Sequence, residues 1–222
     1  MTLEIARFNM IEQQIRPWNV LNHGLLELLG KVRREDFVPT AYKEMAFMDI
    51  EIPLGGVGQS NGQSMLAPRL EARLVQSLEL EASHKVLEIG AGSGFMAALL
   101  GHLAHRVVSL ENNTELVAFA NANLRRAGLT NVTVREVDGA KGLSGEADFD
   151  AILLSGSVAA VPQVLLDQLK VGGHLVAVVG DEPIMRAVRY TRDGEKAWRA
   201  DDLFDTIAPR LSGFDESPRF QF

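Results

Sequence analysis

A doubly wound α/β fold is the architecture this sequence predicts: a mostly parallel sheet with helices on both faces, an N-terminal helical extension and a C-terminal strand hairpin. Three observations carry it. Between about residues 84 and 182, short apolar runs alternate with helix-period segments, the pattern of strands joined by crossover helices. The first of those runs leads straight into a glycine-rich turn, the usual opening of a ligand-binding unit in such folds. The 222 residues, 46% hydrophobic and 23% charged, match an ordinary globular chain long enough to bury one substantial core.

The elements follow in order. Residues 1–80 form a helical cap with one glycine-rich break. The run 21–32 offers Leu25, Leu26, Leu28 and Leu29 to a core at helical spacing. Arg33-Arg34-Glu35-Asp36 is polar, and Phe37-Val38-Pro39 ends it. The stretch 54–64 is a loop by composition, rich in Gly, Ser and Asn. Pro68 then opens a helix over 69–78, since proline suits a first helical turn. Residues 81–222 hold the sheet. Lys85–Ile89, 106–110, Val132–Glu136, 150–154 and 174–179 read as strands; Phe95–Leu103, 114–127 and 163–169 read as helices. Asp193-Gly194 between 187–191 and 196–198 reads as a hairpin turn. The two parts are expected to pack as one compact domain. Trp18 and Trp198 are read as packing residues.

Charge and composition narrow the functions. Twenty-two basic against 29 acidic side chains leave a net charge of −7, against a nucleic-acid surface. With no cysteine there is no disulfide framework or thiolate site. No metal site is expected at His102 and His105, which read as favouring a helix C-terminus. No apolar run reaches the roughly 20 residues of a membrane span, and the first 16 residues lack a signal-peptide core, so a cytoplasmic protein off the membrane is expected.

The strongest local signal is Glu88-Ile89-Gly90-Ala91-Gly92-Ser93-Gly94. Glycines at alternate positions between a strand and a helix let a ligand approach the main chain. Their spacing is not that of the dinucleotide fingerprint, and Phe95 follows, so a nicotinamide or flavin ligand is not supported. A tight structural turn is the other reading. Glu111, 17 positions beyond Gly94, lies near the ~20-residue offset at which an acid grips a ribose diol. Asn112 follows it; capping or exposure is the alternative for Glu111. After the third strand, Asp138-Gly139 reads equally as an adenine acceptor or as an Asp-Gly turn.

Taken together, these residues resemble the class I S-adenosylmethionine-dependent methyltransferases, and Gln168 to Leu175 is similar to that group's turn into the fifth strand. A narrower resemblance runs from about residue 7 to 213. Arg34-Glu35-Asp36-Phe37-Val38-Pro39, Ala41-Tyr42, Gly62-Gln63-Ser64, Pro68, Ala159-Ala160-Val161-Pro162 and Leu165 to Gly173 are similar to the protein-L-isoaspartate O-methyltransferases. Ile207-Ala208-Pro209-Arg210-Leu211 resembles that family's last strand.

The resemblance implies a Rossmann-like fold with S-adenosyl-L-methionine as methyl donor and S-adenosyl-L-homocysteine as product. Glu88, Gly90, Ala91, Gly92, Ser93, Gly94, Glu111, Asn112, Asp138 and Gly139 would form the donor site. It also implies carboxyl methylation of L-isoaspartyl residues in damaged proteins, with the 54–68 loop covering donor and acceptor. One position departs from the pattern: the family's active-site serine falls on Leu66, and Ser60 and Ser64 are the nearest hydroxyls. Three readings follow: isoaspartyl repair; methylation of another acceptor, a small molecule included; or a non-catalytic member that binds a nucleoside or partner.

Overall fold

The computed structural model describes residues 2–55 and 62–215. Its chain begins with helices α1 (Leu3–Met10) and α2 (His23–Lys31), then a two-stranded ribbon of β1 (Ile52–Pro53) and β2 (Ser64–Met65), then α3 (Pro68–Ser77). The sheet region runs β3 (Lys85–Ile89), α4 (Phe95–Leu103), β4 (Arg106–Glu111), α5 (Thr114–Arg126), β5 (Val132–Glu136), β6 (Phe149–Val158), α6 (Gln163–Asp167), β7 (Leu169–Asp181), β8 (Ile184–Gly194) and β9 (Ala197–Asp205). The seven strands lie in the order β5-β4-β3-β6-β7-β8-β9. All neighbours from β5 to β7 are parallel, and β8 and β9 add an antiparallel edge. The order reverses between β3 and β6, which is where a crevice opens in this kind of sheet.

Alternation along the strands makes the two faces. Val86, Val107, Leu153 and Val176 join one buried cluster, while Leu87, Val108, Ile152 and Leu175 join another. Successive side chains of a strand point to opposite faces, so two clusters on one sheet follow from period two. The first cluster runs from Met10 to Ala208, so the N-terminal segment and the sheet share it. Gln76 of α3 strengthens that joint. Its Oε1 accepts from Leu21 N–H (2.8 Å) and Asn22 N–H (3.0 Å), and its Nε2 donates to Asn19 O (2.9 Å). Asn22 in turn caps α2 by accepting from Leu25 N–H at 3.0 Å.

Three expectations are corrected. β7 extends well beyond 174–179, because the antiparallel ladder with β8 carries pairing out to Asp181 opposite Ile184. The hairpin strands are correspondingly longer, and β9 continues to Asp205. Residues 207–211 are no strand: they make one isolated parallel bridge, Arg210 opposite Ser157. Ser157 N–H donates to Pro209 O (2.7 Å), and Leu211 N–H donates to Ser157 O (2.9 Å). Pro209 brings no N–H of its own, which shortens any ladder there.

Candidate functional site

At the carboxyl end of β3 the chain turns sharply into α4. Gly90, Gly92 and Gly94 have φ of 93°, 52° and 82°, the left-handed region that side chains resist. Space is as restrictive as torsion at two of them. A Cβ at Gly94 would lie 3.2 Å from the Ala120 backbone on α5, and one at Gly90 would lie 2.7 Å from Leu211 Cδ2. The turn is tied to β4 by Gly90 N–H (2.8 Å) and Ala91 N–H (3.1 Å), both donating to Leu110 O. Ser93 O accepts from Asn123 Nδ2 at 2.8 Å, holding the turn against α5.

Glu111 ends β4 and is only 5% exposed. Its Oε2 accepts from Gly92 N–H, and its Oε1 accepts from Asn112 and Asn113 N–H, each at 3.0 Å. The carboxylate therefore organises the glycine turn from across the strand. A carboxylate has about four acceptor sites, so Oε2, with a single partner here, has capacity for a ligand hydroxyl.

Glu88 is wholly buried on the central strand. Ser109 Oγ (2.6 Å) and Ser155 Oγ (2.8 Å) donate to its two oxygens. Burial pushes its carboxyl up to about 7; the two hydroxyls oppose this, and the nearby Glu111 and Glu71 add to it. Asp138 Oδ1 accepts from Ala140 N–H at 3.1 Å, so it caps a short turn at Gly139–Lys141. Gly139 sits beneath Ile89, with space for no Cβ.

Between these groups lies a cavity of about 570 Å³, counting the solvent it opens to. Gly90, Gly92, Glu111, Asn112 and Gly139 bound it on the β3–β4–β5 side; Ser155, Arg210 and Leu211 bound it on the β6 side. Gln63 and Ser64 complete the rim, and Asn113 Nδ2 pins Gln63 Oε1 at 2.9 Å. Asn112 and Ser212 bond side chain to side chain, closing the C-terminal segment over the mouth. A second space of about 270 Å³ runs behind Leu54 and Gly92 to Leu66 and Glu71.

That second wall has a different character. Leu66, 3% exposed, is part of the hydrophobic core. Its carbonyl accepts from Arg34 Nη2 at 2.9 Å. Arg34 Nε donates to Ala46 O (3.0 Å), its Nη1 pairs with Glu71 Oε2, and its guanidinium stands 5.0 Å from the Phe95 ring centre. Both charges are fully buried, so burial raises Glu71 and lowers Arg34 while each opposes the shift of the other. Ser64 Oγ lies 3.5 Å from Glu51 Oε2, a carboxyl that burial also raises. Ser60 lies outside the described residues.

Thus Ile89 to Ser93, Glu111, Asn112 and Gly139 meet around these two spaces, with Ser64 on the rim and Leu66 behind it, whereas Glu88, Gly94 and Asp138 line neither. Sequence reading gave no place in the site to Ser155, Arg210, Leu211 or the Arg34–Glu71 pair. Only Glu71 carried a signal: it stands three, four and seven positions before Leu74, Val75 and Leu78, on the buried stripe of α3.

Comparison with known proteins gives the family and the fold. The sequence model of the Protein-L-isoaspartate(D-aspartate) O-methyltransferase family matches residues 6–207. Protein-L-isoaspartate O-methyltransferase 1 of Syntrophobacter fumaroxidans is 44% identical over 176 residues, covering 79% of this chain and 80% of the relative. The Rhizobium meliloti protein-L-isoaspartate O-methyltransferase is 36% identical over 206 residues, covering 90% and 98%. In structure, a candidate protein-L-isoaspartate O-methyltransferase of Plasmodium falciparum, solved with S-adenosyl-L-homocysteine, superposes with a TM-score of 0.77 at 21% identity, covering 93% of this chain and 98% of that one.

Proposed function

The chain belongs to the protein-L-isoaspartate(D-aspartate) O-methyltransferase family, and on that premise we propose that it methylates the free carboxylate of L-isoaspartyl residues in proteins, using S-adenosylmethionine. The observation that carries this reading is the convergence of the glycine turn, Glu111 and the 62–64 segment on one cavity at the β3–β6 switch point. The donor fits what surrounds it. Its positive charges meet a wall that carries the Glu111 carboxylate, with Glu88 buried behind it. Its ribose meets Glu111 Oε2, and its adenine lies toward Asn112, Asp138 and Gly139.

The donor supplies an electrophilic methyl group. An isoaspartyl carboxylate is ionised at neutral pH and already nucleophilic, so no strong base is required of the protein. The chain's own task is then positioning and exclusion of water. The glycine turn and Glu111 fix the donor's direction. Ser64, Leu54 and the C-terminal segment enclose the acceptor's approach. Leu66 gives the acceptor an apolar wall without a hydrogen bond, and Ser64 and Ser155 place hydroxyls in the lining of both spaces.

Transfer of labelled methyl from S-adenosylmethionine to an isoaspartyl peptide, beside the matched aspartyl peptide, tests this. Base-labile label on the first and none on the second is expected. A chain that binds S-adenosylhomocysteine yet labels neither peptide would end the proposal.

A further inference from the structure

We propose that Arg210 is the residue that binds the acceptor carboxylate; this inference rests on the carboxyl-methylation reading. Among the described residues that line the cavity, Arg210 is the only cation. Two constraints fix where it stands. Its backbone bridges Ser157 of β6, and its Nη2 donates to Gly180 O (2.9 Å) and to Asp181 Oδ1 at the end of β7. The guanidinium therefore lies at the carboxyl end of β7, whereas Glu111 ends β4. Adjacent strands are about 4.8 Å apart, so β4 and β7 are separated by roughly 14 Å. That span seats a nucleoside at one end and a carboxylate at the other, with the β3–β6 crevice between them.

A cation at this position suits the charge of the acceptor. Glu111 lines the same cavity on the donor side. An anionic acceptor entering beside that carboxylate is favoured where a positive group receives it. Leu66 has no hydrogen to donate. A guanidinium offers a planar fork matched to a carboxylate. One of its present partners, Asp181, has a side chain 50% exposed to solvent, so an incoming carboxylate exchanges for one that water can take over.

The test is equilibrium binding of an isoaspartyl peptide, and of its neutral isoasparaginyl analogue, to the full chain saturated with S-adenosylhomocysteine. The unmodified chain is expected to prefer the carboxylate by about 10- to 100-fold. Arg210→Gln should abolish the preference, Arg210→Lys should keep part of it, and Asp181→Asn should increase it by removing one competing carboxylate. S-adenosylhomocysteine affinity should stay unchanged in all three, which also establishes that they are folded. A preference that survives Arg210→Gln in a chain that still binds S-adenosylhomocysteine overturns the inference, as does an unmodified chain that shows no preference. Failure of the methylation reading is distinct: the peptide then binds through Arg210 but acquires no methyl group.

Discussion

The two walls of the cavity are built on opposite plans. On the β3–β4 side, hydrogen bonds join groups close in the chain: Gly92 to Glu111, Glu111 to Asn112 and Asn113, the turn back to Leu110. On the Leu66 side, stability comes from a buried ion pair between residues 37 positions apart, Arg34 and Glu71, which also holds the Leu66 carbonyl. The first wall is a preorganised polar surface with acceptor capacity facing the cavity. The second is an apolar surface whose polar groups are consumed in holding it in place. A methyl donor with many polar groups suits the first. The second contributes shape and dryness, and leaves recognition of the acceptor's charge to another part of the chain.

The comparison breaks most visibly at the ion pair. Arg34→Ala or Glu71→Ala leaves one charge buried alone, and about 3–5 kcal/mol of stability should be lost in urea unfolding. Replacing both with apolar residues, Arg34→Met with Glu71→Leu, should recover most of that loss, because the desolvation cost disappears with the pair. If the double variant is no better than the singles, the pair's hydrogen bonds to Ala46 and Leu66 matter more than its charges.

Glu88 gives the next largest effect, on the donor side. The folded chain holds its proton up to about pH 7, whereas an unfolded chain releases it near 4.5. Stability should therefore be greatest below 4.5 from this group and fall as pH rises to 7, by up to roughly 3 kcal/mol. Glu88→Gln should flatten that part of the pH–stability curve; an unchanged slope would mean Glu88 is ionised in the folded chain.

Glu111→Gln sharpens the donor side further. The amide keeps one acceptor oxygen and loses the charge, so S-adenosylhomocysteine affinity should fall tenfold or more by calorimetry, a loss of about 1.5–3 kcal/mol. Unlike a simple ligand contact, it should also lower the melting temperature, because three backbone N–H groups depend on the same carboxylate. Affinity lost with no change in melting temperature would show that these bonds are dispensable to the fold.

This contrast also explains what could be read from the sequence. Strands β3 and β5 and helix α4 are legible to the residue, because β3 and α4 are short, mostly apolar runs and β5 opens on β-branched residues, Val132-Thr133-Val134. The donor wall is legible because its glycines and its acid lie within a few tens of residues, at spacings the strand–helix alternation dictates. Residues 33–36 look like a polar surface stretch, yet Arg34 is 1% exposed, since its partner Glu71 is remote in sequence. Arg210 was equally hidden. Its place depends on a bridge to Ser157 and a bond to Gly180, and neither leaves a local pattern. The extent of β7 was missed because Gly172 and Gly173 look like a turn, while the pairing with β6 and β8 decides otherwise.

The most direct measurement of this division sets the unmodified chain beside Leu66→Ser, recording kcat/KM for an isoaspartyl peptide and Kd for S-adenosylhomocysteine in each. A hydroxyl on the apolar wall adds a bond to the acceptor's charge, so kcat/KM should rise by roughly tenfold or more. Donor affinity should not move, because the glycine turn and Glu111 belong to the other wall. Unfolding should show the cost of a smaller, polar side chain in the core, about 2–5 kcal/mol. A Leu66→Ser chain that remains folded but whose donor affinity changes as much as its transfer rate would contradict the account, because the two walls would then be one site.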